Sequence, residues 1–234
     1  MERIPILYEN DEICIINKVT GLAVQGGEGV KQSVDTVLAQ QLGKKVYLVH
    51  RLDKETAGIL VVAKSSEAAA KWTTLIASGD VKKEYIALCA GYPIIDGKKE
   101  KKGIIAGTLL QRGEERTAVT HFSVIKSATV KNPIDNSNIE LSAVRLTLET
   151  GRMHQIRIQL ASIAAPIIAD DKHGDFKKNK TLKKLFGIKK LCLASVKLTL
   201  LGKAKLVEHE EPFEIELPEH IEKGISLLKQ ASEK

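Results

Sequence analysis

Aromatic residues make up only 4% of this 234-residue chain. That is too few to line a stacking platform of the kind that holds single-stranded nucleic acid, so any stacking on a base must rest on one or two rings. Cysteine is equally sparse. Cys14, Cys89 and Cys192 lie far apart, each inside an apolar, strand-like run, which supports neither a disulfide framework nor a zinc knuckle and is read most simply as buried thiols in a reducing compartment. No run approaches the ~18 apolar residues of a membrane-spanning helix, and Met1-Glu2-Arg3-Ile4-Pro5 has no apolar leader core. Neither a P-loop nor a dinucleotide-binding glycine fingerprint is present. A soluble, cytoplasmic monomer is expected.

What the chain does have is positive charge and apolar content. Lys and Arg number 36 against 29 Asp and Glu, a net charge of +7, which leans toward a polyanionic partner. Hydrophobic residues make up 43%, enough to bury one substantial core or two closely joined lobes. One catalytic domain over residues 1–234 is the simplest organisation.

The chain is organised around Val49-His50-Arg51-Leu52-Asp53-Lys54-Glu55-Thr56-Ala57-Gly58, followed by Ile59-Leu60-Val61-Val62-Ala63. The second run never alternates with polar residues, so it reads as a strand buried on both faces. Arg51 and Asp53 are thereby held at the edge of a core, where a carboxylate costs free energy unless it is paired or hydrogen-bonded. Taken alone, the motif fits a structural turn in which Asp53 binds backbone amides and Gly58 takes positive φ.

Before this stretch, Ile6-Leu7-Tyr8 and Ile13 to Lys18 read as a strand pair, and Ser33 caps a helix through Val34, Val37, Leu38 and Leu42 that Gly43 closes. After it, Ser65 or Ser66 caps a helix whose stripe of Ala68, Trp72, Leu75 and Ile76 makes Trp72 a core residue. Lys83 to Gly91 is a strand, and Lys98 to Lys102 is a charged loop. Residues 117–127 and 139–150 are strands joined by a surface turn at 132–138. In the second of these strands the apolar positions switch from Ile139, Leu141 and Ala143 to Val144, Leu146 and Leu148, which predicts a bulge or sharp bend. Met153, Ile156, Leu160 and Ile163 form a helical stripe that begins beside Arg152. Asp170, Asp171, His173 and Asp175 are crowded too closely in one loop to fix a metal geometry, so no metal is assigned. Seven lysines between Phe176 and Lys190 surround Leu182, Leu185 and Phe186, as in a short basic amphipathic helix. Its lysines are either a solvated face or a surface that tracks phosphates.

Residues 50–58 resemble the signature of the RluA-type (large-subunit rRNA/tRNA) pseudouridine synthase family, His-Arg-Leu-Asp, two residues, Thr-Ser-Gly. The resemblance continues in order through Asn17-Lys18-Val19-Thr20-Gly21-Leu22, Lys83-Glu84-Tyr85-Ile86-Ala87, Thr150-Gly151-Arg152-Met153-His154-Gln155-Ile156-Arg157, Ile167 to Gly174, and Leu191 to Leu200. Departures fall at Val19, Ala57, Ala169, His173 and Ala194, where the family has Pro, Ser, Gly, Tyr and His. The resemblance implies an α+β fold with a mixed, mainly antiparallel bent sheet flanked by helices and a central active-site cleft. It also implies isomerisation of uridine in rRNA or tRNA, with no cofactor and no metal. The S4 RNA-binding domain that often precedes the family's catalytic domain is not expected.

By the same resemblance Asp53 is the catalytic carboxylate, Arg152 pairs with it and orients it, and Tyr85 stacks on the target base. Arg51, Lys83, His154, Arg157, Lys177, Lys178, Lys183 and Lys184 are candidate RNA contacts. Without the resemblance the residues favour a Tyr85 ring packed on a sheet face, and they leave open for Arg152 a cap or a pair with a surface carboxylate. Two other functions remain open here: an inactive RNA-binding relative, and a metal-dependent phosphodiesterase built on Asp170, Asp171 and His173.

Overall fold

The computed structural model describes residues 3–132, 135–206 and 209–232. Pro133 and Ile134 of the expected turn at 132–138 lie outside them. Along the chain the elements are β1 Ile6–Glu9, β2 Ile13–Lys18, α1 Val34–Leu42, β3 Tyr47–Leu48, β4 Ala57–Ala63, α2 Ser66–Ala77, β5 Val81–Cys89, β6 Ile94–Ile95, β7 Lys98–Lys99 and β8 Lys102–Gln111. They continue with β9 Glu114–Lys131, β10 Asn138–Leu148, α3 Gln155–Ser162, α4 Phe176–Phe186, β11 Leu193–Leu200, a 3-10 turn at Gly202–Ala204, β12 Phe213–Glu214 and α5 Glu219–Ser232. The fold is mixed α+β. β1 pairs with β2, β2 and β3 with β4, β6 with β7, β8 with β9, β9 with β10 and β11 with β12, all antiparallel, whereas β4 and β11 run parallel. Two compact units emerge, Met1–Glu84 with Ala194–Glu216, and Tyr85–Leu193 with Leu217–Lys234.

In the first unit β4 is buried along its whole length, as its unbroken apolar run requires. α1 has Ser33 as N-cap and Gly43 in the left-handed region at its end. Ser65, not Ser66, caps α2 by accepting the Ala68 N–H. Trp72 is 1% exposed and packs with Ile13, Ile59, Val61 and Leu198. Its indole N–H donates to Glu12 at 3.1 Å, so the ring is core, as its place on the helix stripe predicts. The thiols of Cys14, Cys89 and Cys192 are buried, and desolvation pushes Cys14 and Cys192 up to about 12.

The parallel contact between β4 and β11 is short, Ala57 beside Ala194 and Gly58 beside Ser195. Ala57 and Ala194 are two of the departures from the family pattern, so both changes fall at one register position. Gly58 has φ +114, and a Cβ placed on it would lie 2.1 Å from the Ser195 carbonyl oxygen. Only a residue without a side chain fits there.

In the second unit β8, β9 and β10 form a meander. The register between β9 and β10 breaks between Ala143 and Val144, paired respectively with Lys126 and Val124. The break therefore falls where the apolar pattern changes phase, but the extra residue, Ile125, is on the partner strand, and its side chain is exposed. Two expectations need correction. The charged segment 98–102 is no simple loop, because it contains β7 and the first residue of β8. Met153 lies before α3 and is 59% exposed, so the buried stripe of that helix starts at Ile156.

Replacing Gly58 by Ala should destabilise the protein by roughly 3 kcal/mol or more, from backbone strain and overlap with β11 combined. Denaturant unfolding measures this, and an unchanged midpoint would contradict the close-approach account.

Candidate active site

Asp53 opens a tight turn immediately before β4. Its carbonyl accepts the Thr56 N–H at 3.0 Å, and its side chain is half-buried. The next two carbonyls of the turn are gripped by the segment after β2. The Gly21 N–H donates to Lys54 O at 2.9 Å, and Thr20 Oγ1 donates to Glu55 O at 2.6 Å. At the centre is Lys18, 0% exposed, whose Nζ donates to Val19 O (3.1 Å), Leu22 O (2.8 Å) and Lys54 O (3.0 Å). An ammonium has three donors and no acceptor, so three carbonyls use it up. Burial pushes Lys18 down to about 8, while the carboxylates of Glu55 and Asp53 pull the other way. Lys18 was quoted in the sequence only as part of a matching segment. The signal that could have found it is a lysine ending a strand whose first four residues, Ile13 to Ile16, are all apolar.

His50 fixes the other side of the turn. Its Nε2 accepts the Val61 N–H of β4 at 3.0 Å, so the ring must be neutral with its proton on Nδ1. Burial first, and then the charge of Lys83, lower its pKa to about 3. Arg51 is exposed, where a candidate RNA contact needs to be. Lys83 is not. It is 8% exposed, and burial lowers its pKa, so the expectation that it reaches RNA phosphates is corrected to a buried cation on β5.

In the second unit Tyr85 lies on β5 and is 5% exposed. Arg152 sits between β10 and α3 with an exposed side chain. Its Nε donates to Thr117 O and its backbone N–H to Gln155 Oε1, both at 3.0 Å. Gln155 is the hub of this turn. It also accepts from Thr150 Oγ1 (2.8 Å) and donates to Val119 O (3.1 Å) and Thr120 Oγ1 (2.9 Å). One turn further along α3, the buried Gln159 accepts from Thr120 Oγ1 and donates to Ile105 O and Ala118 O. Two amides thus stitch α3 to β8 and β9. Gln111 Nε2 adds a bond to Met153 O at 3.2 Å.

Arg157 is buried and makes a two-pronged pair with Asp170, Nε to Oδ2 at 2.7 Å and Nη2 to Oδ1 at 2.6 Å. Of the two roles open to it, structural or RNA-backbone contact, this buried pair fits the structural one. Burial works against ionisation of Asp170, yet the Arg157 bonds and the amides of His173 and Lys172 outweigh it and hold the carboxyl below its usual range. His154 is half-buried, with its Nδ1 2.9 Å from Nε2 of His173. On α4, capped by Asp175, Lys177, Lys183 and Lys184 are exposed. Lys178 is partly withdrawn and donates to Ala90 O.

A family model described as RNA pseudouridylate synthase matches residues 12–162, a span that includes Asp53, Tyr85 and Arg152. The chain is 36% identical over 181 residues to the ribosomal large subunit pseudouridine synthase C of Rickettsia bellii (strain RML369-C), covering 74% of this chain and 57% of that protein. It is 31% identical over 205 residues to the tRNA pseudouridine synthase C of Yersinia pestis, covering 83% of this chain and 80% of that one. Among solved structures, human RNA pseudouridylate synthase domain containing 4 superposes with a TM-score of 0.72 at 24% identity, covering 96% of this chain and 93% of that one, a likeness of fold. The chain belongs to the RNA pseudouridylate synthase family. It spans a little over half the length of the Rickettsia relatives it matches.

The state of His50 makes stability depend on pH. An unfolded imidazole titrates near about 6.5, the folded one near 3, so between these values the unfolded chain holds the extra proton. The contribution of His50 is complete above about pH 6.5 and is lost as pH falls, by about 1.4 kcal/mol per unit. His50→Gln should flatten the dependence of unfolding free energy on pH between about 4 and 6. Parallel curves for the two proteins would contradict the neutral, accepting role of His50.

Proposed function

We propose that this chain isomerises uridine to pseudouridine in ribosomal or transfer RNA. The N1–C1′ glycosidic bond breaks, the base turns, C5 bonds to C1′, the C5 hydrogen leaves as a proton to water, and N1 takes up a proton in its place. The atoms balance without an oxidant, reductant or second substrate, so the residues supply only binding, orientation and proton handling.

The observation that best supports this is the support of Asp53, a half-buried carboxylate on a turn whose carbonyls are held by Lys18, Gly21 and Thr20. Such preorganisation keeps a reacting group in one place. Asp53 acts on the sugar or the base, as nucleophile or as the base that begins elimination. By the family resemblance Arg152 is the residue that orients the Asp53 carboxylate, a task suited to a guanidinium because it can donate two parallel hydrogen bonds. Tyr85 stacks on the flipped uracil and offsets part of the cost of leaving the helical stack, a few kcal/mol. In this proposal the substrate is the RNA class named for the relatives above, and no cofactor takes part.

Arg51 and the exposed face of α4 hold the RNA backbone. α4 carries Lys177, Lys180, Lys183 and Lys184 on its exposed side and has no acidic residue within it. Like charges at this spacing weaken an isolated helix, a cost that phosphates opposite the stripe remove.

Asp53→Asn should lower tritium release from C5-labelled uridine RNA by at least about a thousandfold while RNA affinity stays near that of the unaltered protein; appreciable turnover would end the assignment. Replacing Lys177, Lys183 and Lys184 together by Gln should weaken RNA binding and reduce the slope of log affinity against log salt by roughly two, with turnover at saturating RNA preserved. An unchanged slope would remove α4 from the interface.

A further inference from the structure

His173 stands where the family resemblance places Tyr, and nothing in the proposed chemistry uses it. Its ring meets that of His154 edge to face, with centroids 5.1 Å apart at 73° and the facing nitrogens at 2.9 Å. Two imidazoles can share such a contact only if one ring donates and the other accepts. The bond therefore ties the ring orientation and tautomer of each residue to those of the other.

Both ends of this bond are anchored in the same framework. The His173 N–H and the Lys172 N–H donate to Asp170 Oδ1, each at 2.9 Å, and Asp170 is clamped by Arg157 in the first turn of α3. His154 is the residue that enters α3, in the left-handed region at φ 55, a conformation that costs a non-glycine residue free energy unless its surroundings hold it. A closed circuit results, from α3 through Arg157, Asp170, His173 and His154 back to α3. Arg152 is two residues before His154, on the turn that this circuit tightens.

We infer that His173 is a positioning residue, whose imidazole, through its hydrogen bond to His154, holds the turn that presents Arg152 to the reaction. The inference rests on the assignment of Arg152 given above. Tyr can serve the same end because its hydroxyl both donates and accepts, whereas Phe fills similar space with no polar atom.

The test compares the intact protein with His173→Phe and His173→Tyr by steady-state kinetics on RNA and by nitrogen-15 NMR of the histidine rings. In the unaltered protein His154 should show one locked tautomer. His173→Phe should release it and lower kcat by about tenfold, with KM and thermal midpoint little changed, as expected for a small misplacement of a catalytic group. His173→Tyr should restore both the locked ring and the rate. Unaltered kcat in His173→Phe, or a Tyr variant as impaired as the Phe variant, would overturn the inference. So would an averaging His154 ring in the unaltered protein, a result that needs no variant to fold. Arg152→Ala, assayed alongside, separates the two levels. If it remains active, the role of Arg152 fails and the ring spectra still report whether His173 holds His154. If it is inactive while His173→Phe is normal, only the present inference fails.

Discussion

The buried ammonium of Lys18 is the interaction on which the first unit's site depends. Removing a cation from water is costly, and only full use of its donors makes it tolerable. Here three carbonyls meet three N–H groups, two from the segment following β2 and one from the turn that begins at Asp53. Losing any of these bonds would leave a charge partly unsatisfied in the interior, so the two loops are coupled. Gly58 adds a steric condition, since the turn can enter β4 only if its backbone passes against Ser195 without a side chain. Asp53 thus owes its place mainly to neighbours that do no chemistry.

The second unit reaches the same end with neutral groups. Gln155 and Gln159 are buried amides whose oxygens and nitrogens bond to β8, β9 and the turn before α3. A buried network of this kind specifies one geometry because a partly satisfied alternative is expensive. The buried pair of Arg157 and Asp170 extends it into the loop that carries His173. Arg152 and, on α4, Lys177, Lys180, Lys183 and Lys184 are left exposed.

Much of the fold was legible in the sequence wherever burial enforces a period. The unbroken run of β4, the stripe of α2 with Trp72 inward, the cap at Ser33, and the phase change between Ala143 and Val144 all follow from local rules. β8 and α5 were not anticipated. β8 lies largely exposed on both faces, so its sequence has no alternation to detect, whereas α5 has a legible stripe in Ile221, Ile225 and Leu228 that was passed over. The candidate site rests on motif resemblance alone, because Asp53, Tyr85 and Arg152 are distant in sequence and no periodicity links them. Burial decided what the motif could not. Lys83 and Arg157 look like phosphate contacts by residue type, and their surroundings make them internal cations. Conversely, a terminal lysine such as Lys18 looks like a solvated strand end until its three acceptors are seen.

On the proposed role of Asp53, the clamp of Lys18 on the turn, rather than the bare presence of Asp53, makes the carboxylate competent. Lys18→Met keeps the length of the stem and removes the three donors. Amide hydrogen exchange at Gly21 and Thr56, measured together with turnover on RNA, tests the claim most directly. In Lys18→Met, protection at both amides should collapse and kcat should fall sharply while the rest of the sheet stays protected. A Lys18→Met protein with the turn still protected and turnover intact would contradict it.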